Sequence, residues 1–230
     1  MKRSELNDII QGAIDFMGAK GYPLPPFAYW TLDDWKKIDV NSREIIDNML
    51  GWDITDFGSG NFKETGVLIF TFRNGSFHNK ERYPKPYAEK LLLVGDGQAL
   101  PFHFHWSKME DIINRGGGNL IMQLYNSTEN GDFADTDVHI TMDGEQRAVK
   151  AGGTVVLKPG QSITLLPGQY HNWLGEKGKG KVILFEVSSV NDDTVDNRFH
   201  SAAGRFPDIT EDVEPKYLIF RDYDKYVTVE

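Results

Sequence analysis

The chain has 230 residues, of which 40% are hydrophobic, including 14 Phe, 9 Tyr and 5 Trp; this is enough to bury a full core in one domain and too apolar for wholesale disorder. A formal net charge of −9 argues against a nucleic-acid or anionic-membrane surface, which needs clustered Lys and Arg, and leaves a neutral small substrate open. The absence of cysteine removes disulfides, thiolate ligands and a cysteine nucleophile.

The N-terminal MKRSELNDIIQ acquires Glu5 and Asp8 before any apolar run of signal length, and no stretch reaches membrane-spanning length. A soluble, cytoplasmic protein is expected. Ser4 is placed to cap a first amphipathic helix. Its stripe is Leu6, Ile9, Ile10, Ala13, Ile14 and Met17, and Gly21 with the GYPLPP segment ends it. Thr31-Leu-Asp-Asp-Trp opens a short second helix with acids in its first turn, and 41–50, stopped by Gly51, reads as a third.

From Gly66 the texture changes. GVLIFTF, AEKLLLV, PFHFHW, NLIMQLY, DVHITM, GTVVLK, SITLL and KVILFEV are short β-branched, leucine-rich and aromatic runs separated by turn signals. About eight strands at such spacing indicate a sandwich or barrel. The expected organisation is one mainly β domain over residues 1–230. It comprises a helical N-terminal extension (1–60) packed outside, a barrel (66–190) and a C-terminal wrap (191–230) in which only YLIF resembles a strand.

The chemistry concentrates in PFHFHW. Residues two apart on a strand share a face, so His103 and His105 can hold one ion while Phe102, Phe104 and Trp106 face the other layer. Glu110 follows after a step long enough to turn and return a carboxylate. An isolated His-x-His pair is as often accidental, but here the flanking glycines and Glu110 favour a site. Imidazoles with one carboxylate suit Mn, Fe, Co, Ni or Zn rather than calcium.

The spacing Gly-x5-His-x-His-x4-Glu-x6-Gly over 97–117 resembles the first cupin motif, and GQSITLLPGQYH (160–171) resembles the second, which adds His171. Two departures concern the turn: Pro167 falls one place late, and Gly175 stands where asparagine is common. The resemblance implies a jelly-roll-like cupin barrel with His103, His105, Glu110 and His171 as ligands of one divalent ion.

Further candidates follow from misfit residues. Lys90 interrupts an apolar strand on the face of Ala88, Leu92 and Val94; it is either a strand-end lysine reaching solvent or a group that serves a substrate oxygen. Glu186 in KVILFEV is either a buried ion-pair partner, for Lys90 or Arg205, or a general base. Lys108 lies close to the site but in a turn, where a solvated lysine is the equal reading. Asp193 and Arg205, in the C-terminal wrap, could close over a sugar or form surface ion pairs. His78, His139 and His200 have no ligand spacing. Gly116-Gly-Gly118 lacks a phosphate-loop pattern and reads as a close backbone turn.

GYPLPPFAYW (21–30) and PFHFHWSKMEDIINRGGGNL (101–120), continued by LPGQYH, FEVSSVNDD and DNRF, are similar to the bacterial D-lyxose isomerases over nearly the whole chain. That resemblance implies a manganese-dependent aldose–ketose isomerase, usually homodimeric. It would interconvert D-lyxose with D-xylulose, and D-mannose with D-fructose. Glu186 would move a proton between C2 and C1 through a cis-enediol, Lys90 would serve the oxygens, and Phe27, Tyr29 or Trp30 would contact the sugar. A metal-dependent cupin dioxygenase and a non-catalytic sugar-binding cupin are the alternatives.

Overall fold

The computed structural model describes residues 1–190, 192, 194–201 and 203–229. Among these are fourteen strands: β1 (Gly51–Thr55), β2 (Val67–Arg73), β3 (Tyr87–Val94), β4 (Ala99–His105), β5 (Glu110–Gly117), β6 (Leu120–Ser127), β7 (Phe133–Ala134), β8 (Val138–Met142), β9 (Glu145–Val149), β10 (Thr154–Leu157), β11 (Ser162–Leu165), β12 (Gln169–Gly175), β13 (Val182–Ser189) and β14 (Asn197–Phe199). All pair antiparallel. One sheet runs β1-β2-β3-β13-β5-β11-β8-β9, the other β10-β6-β12-β4-β14, with β7 beside β6. The sheets curl against each other as the mainly β barrel that was expected.

Alternation of side chains makes two cores from the same strands. Val67, Ile69, Leu92, Val94, Val182 and Leu184 point into the barrel with Leu100, Met122, Leu124 and Trp173 of the facing sheet. Their neighbours Leu68, Phe70, Leu91, Leu93 and Ile183 point outward, where Leu6, Ile10, Ala13 and Met17 of helix α1 (Arg3–Ala19) cover them. A third cluster joins Trp35 to Leu218 and Tyr223.

Three expectations need correction. Ser4 does not cap α1: the N-cap is Lys2, and Ser4 instead donates its hydroxyl to Asp212 Oδ2 at 2.7 Å. The C-terminal segment takes over that end, because the buried Arg3 bonds both Asp222 oxygens at 2.8 Å and Glu211. The segment 1–60 is not helical throughout, since Trp52 and Ile54 of β1 bury outward against α1; the acid in GWDIT hid that strand. The C-terminal wrap contributes β14, paired to β4, whereas YLIF makes only an isolated bridge from Ile219 to Trp52. The third helix is present within 41–50: a 3-10 turn, Val40–Ser42, leads into the α-helix Arg43–Asp47.

The glycine run ends β5 where β13 carries an irregularity between Ile183 and Leu184. Gly117 has φ +81°, and a Cβ there would lie 2.0 Å from the Lys181 carbonyl oxygen, so no larger residue fits. Among the described residues no helix is long and apolar enough to cross a membrane.

The Arg3–Asp222 pair is buried on both sides, so removing one partner strands a charge. Asp222→Ala is expected to lower unfolding stability by about 3 kcal/mol, read from the urea midpoint; a change under about 1 kcal/mol would show that Glu211 alone satisfies Arg3.

Candidate active site

Strand pairing assembles the histidines. β12 lies beside β4 with His171 directly opposite His103, and an irregularity between His171 and Trp173 adjusts the strand just beyond. The three histidines offer ligand atoms that all lie within 4.8 Å of one another. His103 Nδ1 lies 3.0 Å from the Pro101 carbonyl and His171 Nδ1 3.0 Å from the Gln169 carbonyl. Each carbonyl can only accept, so the protons belong on Nδ1 and both Nε2 atoms present lone pairs. Those two Nε2 atoms face each other at 3.1 Å.

Glu110, the first residue of β5, comes from the opposite sheet. Its Oε1 lies 3.3 Å from His171 Nε2 and 3.5 Å from His105 Nε2, buried and without a well-formed hydrogen bond among the described residues. Lone pairs and an unsatisfied carboxylate oxygen converging at these separations suit a cation at their centre. Ligands held about 2.1 Å from one ion stand roughly 3.0 to 3.4 Å apart. The residues therefore fit a divalent metal. Burial, then the neighbouring His171 and His105, lowers the His103 pKa well below its ordinary value; burial and His105 pull His171 down to about 4. Both rings are thus neutral, the form that binds metal. Burial pushes the Glu110 carboxyl upward, but Lys108 and the histidines outweigh it and hold it well below the usual range.

A second group of charges lines the same cavity. Lys90 on β3 and Glu186 on β13 are direct cross-strand partners, with Nζ 3.5 Å from Oε1. Lys108 is buried, which decides against the solvated one of its two readings: its Nζ stands 2.6 Å from Glu110 Oε2 and donates to Glu186 Oε1 at 2.9 Å. Ser188 donates to the same Glu186 oxygen at 3.0 Å. Arg205 also lines the cavity, where it pairs with Asp53 at 2.6 Å rather than with Glu186.

The structure does not bring Phe27, Tyr29 or Trp30 to this cavity. Phe27 stacks on the outward-facing Phe70 at 5.1 Å, Trp30 meets Trp35 edge-on at 5.0 Å, and the Tyr29 hydroxyl accepts from the Leu24 amide. They belong to the layer outside the sheet, because GYPLPPFAYW runs along α1's side of it. The aromatics that do line the cavity are Phe57, Trp173 and Phe199. His78 and His139 are exposed and His200 stacks on Phe133, all apart from the cluster. Asp193 lies outside the described residues. Sequence reasoning missed Asp53, whose isolated acid in a short strand carries no motif, and Asp196, although the DNRF segment containing Asp196 had been singled out.

A family model described as D-lyxose isomerase matches residues 1–223. The D-lyxose/D-mannose isomerase of Serratia proteamaculans is 44% identical over 228 residues, spanning 99% of this chain and 100% of that protein. Its counterpart from Escherichia coli is 44% identical, spanning 98% of this chain and 100% of that protein. Among solved structures, the ligand-free L-ribose isomerase of Cellulomonas parahominis superposes with a TM-score of 0.61 at 15% identity, covering 91% of this chain and 98% of that one. That of Geodermatophilus obscurus gives 0.55 at 14% identity with the same coverage. At such identity these two show the fold alone. The family match over 1–223, with 44% identity along the full length of two relatives, establishes that the chain belongs to the D-lyxose isomerase family of sugar isomerases.

Proposed function

We propose that the protein is a metal-dependent aldose–ketose isomerase that interconverts D-lyxose with D-xylulose, and D-mannose with D-fructose. His103, His105, His171 and Glu110 hold the divalent ion in this reading; Mn²⁺ is first choice, ahead of Zn, Co, Ni or Fe. The observation that carries it is that Glu186 and Lys90 of one sheet, with Lys108 of the turn between β4 and β5, line the same cavity as His103 and His105 of the other sheet, and that His171 Nε2 stands 3.1 Å from His103 Nε2. A binding module has no use for three buried charges beside its metal, each costly to desolvate. The two aldoses come from the names of the 44% identical relatives, and the ketoses are what moving the carbonyl of each from C1 to C2 produces.

When bound, the ion supplies Lewis-acid polarisation at the sugar carbonyl. The protein's own groups handle protons. In the aldose-to-ketose direction Glu186 takes the C2 hydrogen as a proton, the electron pair forms the C1–C2 double bond, and Lys90 gives a proton to the aldehyde oxygen, leaving a cis-enediol. Glu186 then returns its proton to C1 while Lys90 recovers one from the C2 hydroxyl, which becomes the ketone. Lys90, 3.5 Å from the Glu186 carboxylate, serves the two oxygens. Lys108 spans Glu110 and Glu186, so it fixes the base relative to the ion and can touch the sugar. Arg205, with Asp193, orients the sugar tail. A cytoplasmic homodimer completes the proposal.

Two outcomes test it. Metal-stripped protein under argon is expected to convert D-lyxose to D-xylulose when Mn²⁺ is added and not with EDTA. Conversion requiring oxygen would favour the dioxygenase, and none with lyxose or mannose the binding module. Glu186→Gln is expected to retain metal, measured by elemental analysis, while isomerisation falls by about 10² to 10⁴, the usual contribution of a general base; full activity would remove Glu186 from the mechanism.

A further inference from the structure

Asp196 is a buried carboxylate that the mechanism above does not use. It sits immediately before β14, whose Asn197 stands opposite His105 in the β4 pairing. From there it grips the turn after β4. Its backbone carbonyl accepts from the Trp106 amide at 3.1 Å, Oδ1 accepts from the Ser107 amide at 2.9 Å and the Ser107 hydroxyl at 2.7 Å, and Oδ2 accepts from the Lys108 amide at 3.1 Å.

The same Oδ2 lies 3.7 Å from His105 Nδ1. His103 and His171 each have a backbone carbonyl at Nδ1, as above, whereas His105 Nδ1 is buried and makes no hydrogen bond among the described residues. A separation of 3.7 Å is too long for a hydrogen bond and too short to admit a bridging water, and a movement of about 0.8 Å closes it. For the His105 proton two carboxylates compete: on Nε2 it would point at Glu110 Oε1, 3.5 Å away, and would occupy the nitrogen that faces the other ligand candidates, whereas on Nδ1 it would point at Asp196 and leave Nε2 free.

We propose that Asp196 is the positioning residue of His105. Its carboxylate accepts the Nδ1 proton, which leaves Nε2 as a lone pair toward the ion, and the same side chain seats the turn that carries Lys108 into the cavity. The C-terminal segment is thereby part of the metal site. This inference rests on the metal-binding reading of the histidines.

Asp196→Asn is the informative variant, because its amide oxygen can keep both Ser107 bonds while its NH₂, giving up the Lys108 amide bond, would face His105 Nδ1 and favour the opposite tautomer. Mn²⁺ affinity, measured by chelator competition, is expected to fall about 10- to 100-fold, with the metal-free protein still melting cooperatively. Ser107→Ala, which removes one turn bond and leaves His105 alone, is expected to keep wild-type affinity. Wild-type Mn²⁺ affinity in Asp196→Asn, or an equal loss in Ser107→Ala, would overturn the proposal. Should Asp196→Asn fail to fold, nitrogen NMR of ¹⁵N-histidine-labelled, metal-free wild-type protein decides: a proton on His105 Nδ1 supports the role and one on Nε2 refutes it. Absence of Mn²⁺ binding in the wild type would instead sink the metal reading, and the NMR result would still report on the Asp196–His105 contact.

Discussion

The register in which β12 pairs with β4 is the constraint on which the site depends. His171 must fall opposite His103, because on a strand a slip of one residue turns every side chain to the other face and would carry His171 out of the barrel. The pattern of β12 enforces that register: His171 and Trp173 are buried toward the cavity, while Tyr170 packs edge-on against Phe104 on the far side, its ring centroid 4.8 Å away. The aromatic packing on the outside of the six-stranded sheet thus helps to hold the histidines on the inside.

The facing sheet poses an electrostatic problem. Lys90, Lys108, Glu110 and Glu186 are all buried, and each would be costly alone. They are tolerable as a set, since Lys108 lies between the two carboxylates and Lys90 is opposite Glu186 across the strand pair. Glu186 and Lys90 sit where the inner face changes from apolar to charged: Leu184 and Leu92, two residues away on the same strands, belong to the hydrophobic core. The apolar half supplies the burial that holds the sheets together. The polar half is held by charge pairing and, in the proposed function, by the ion, so stability and chemistry occupy opposite ends of one barrel.

The chain termini are coupled to this arrangement. Arg3 binds the C-terminal segment through Asp222 and Glu211, and Asp53 of β1 binds Arg205 from that segment at the cavity. With Asp196 at the turn before Lys108, the last part of the chain closes one side of the site as well as wrapping the outside of the fold.

The sequence by itself determined much of this protein. Eight strands were legible from runs of β-branched and leucine residues, α1 from its apolar stripe, and the His103–His105 pair from strand alternation, because these are local periodicities set by backbone geometry, whereas His171 came from the resemblance to the second cupin motif. Family membership was legible in GYPLPPFAYW and EDIINRGGGNL. What stayed hidden were β5, β7 and β9, which none of those runs covers, and features whose burial comes from distant partners: β1, whose Trp52 and Ile54 are covered by α1; β14, an edge added to β4; and the Arg3 tie that displaced Ser4 from its capping role. The tertiary structure alone decided that Lys108 is buried between two carboxylates, that Phe27, Tyr29 and Trp30 lie outside the sheet, and that Asp53 and Asp196 reach the site. A lysine in a turn and an acid in a loop carry no local signal of burial; their environment is made by strands that are remote in sequence and adjacent only after folding.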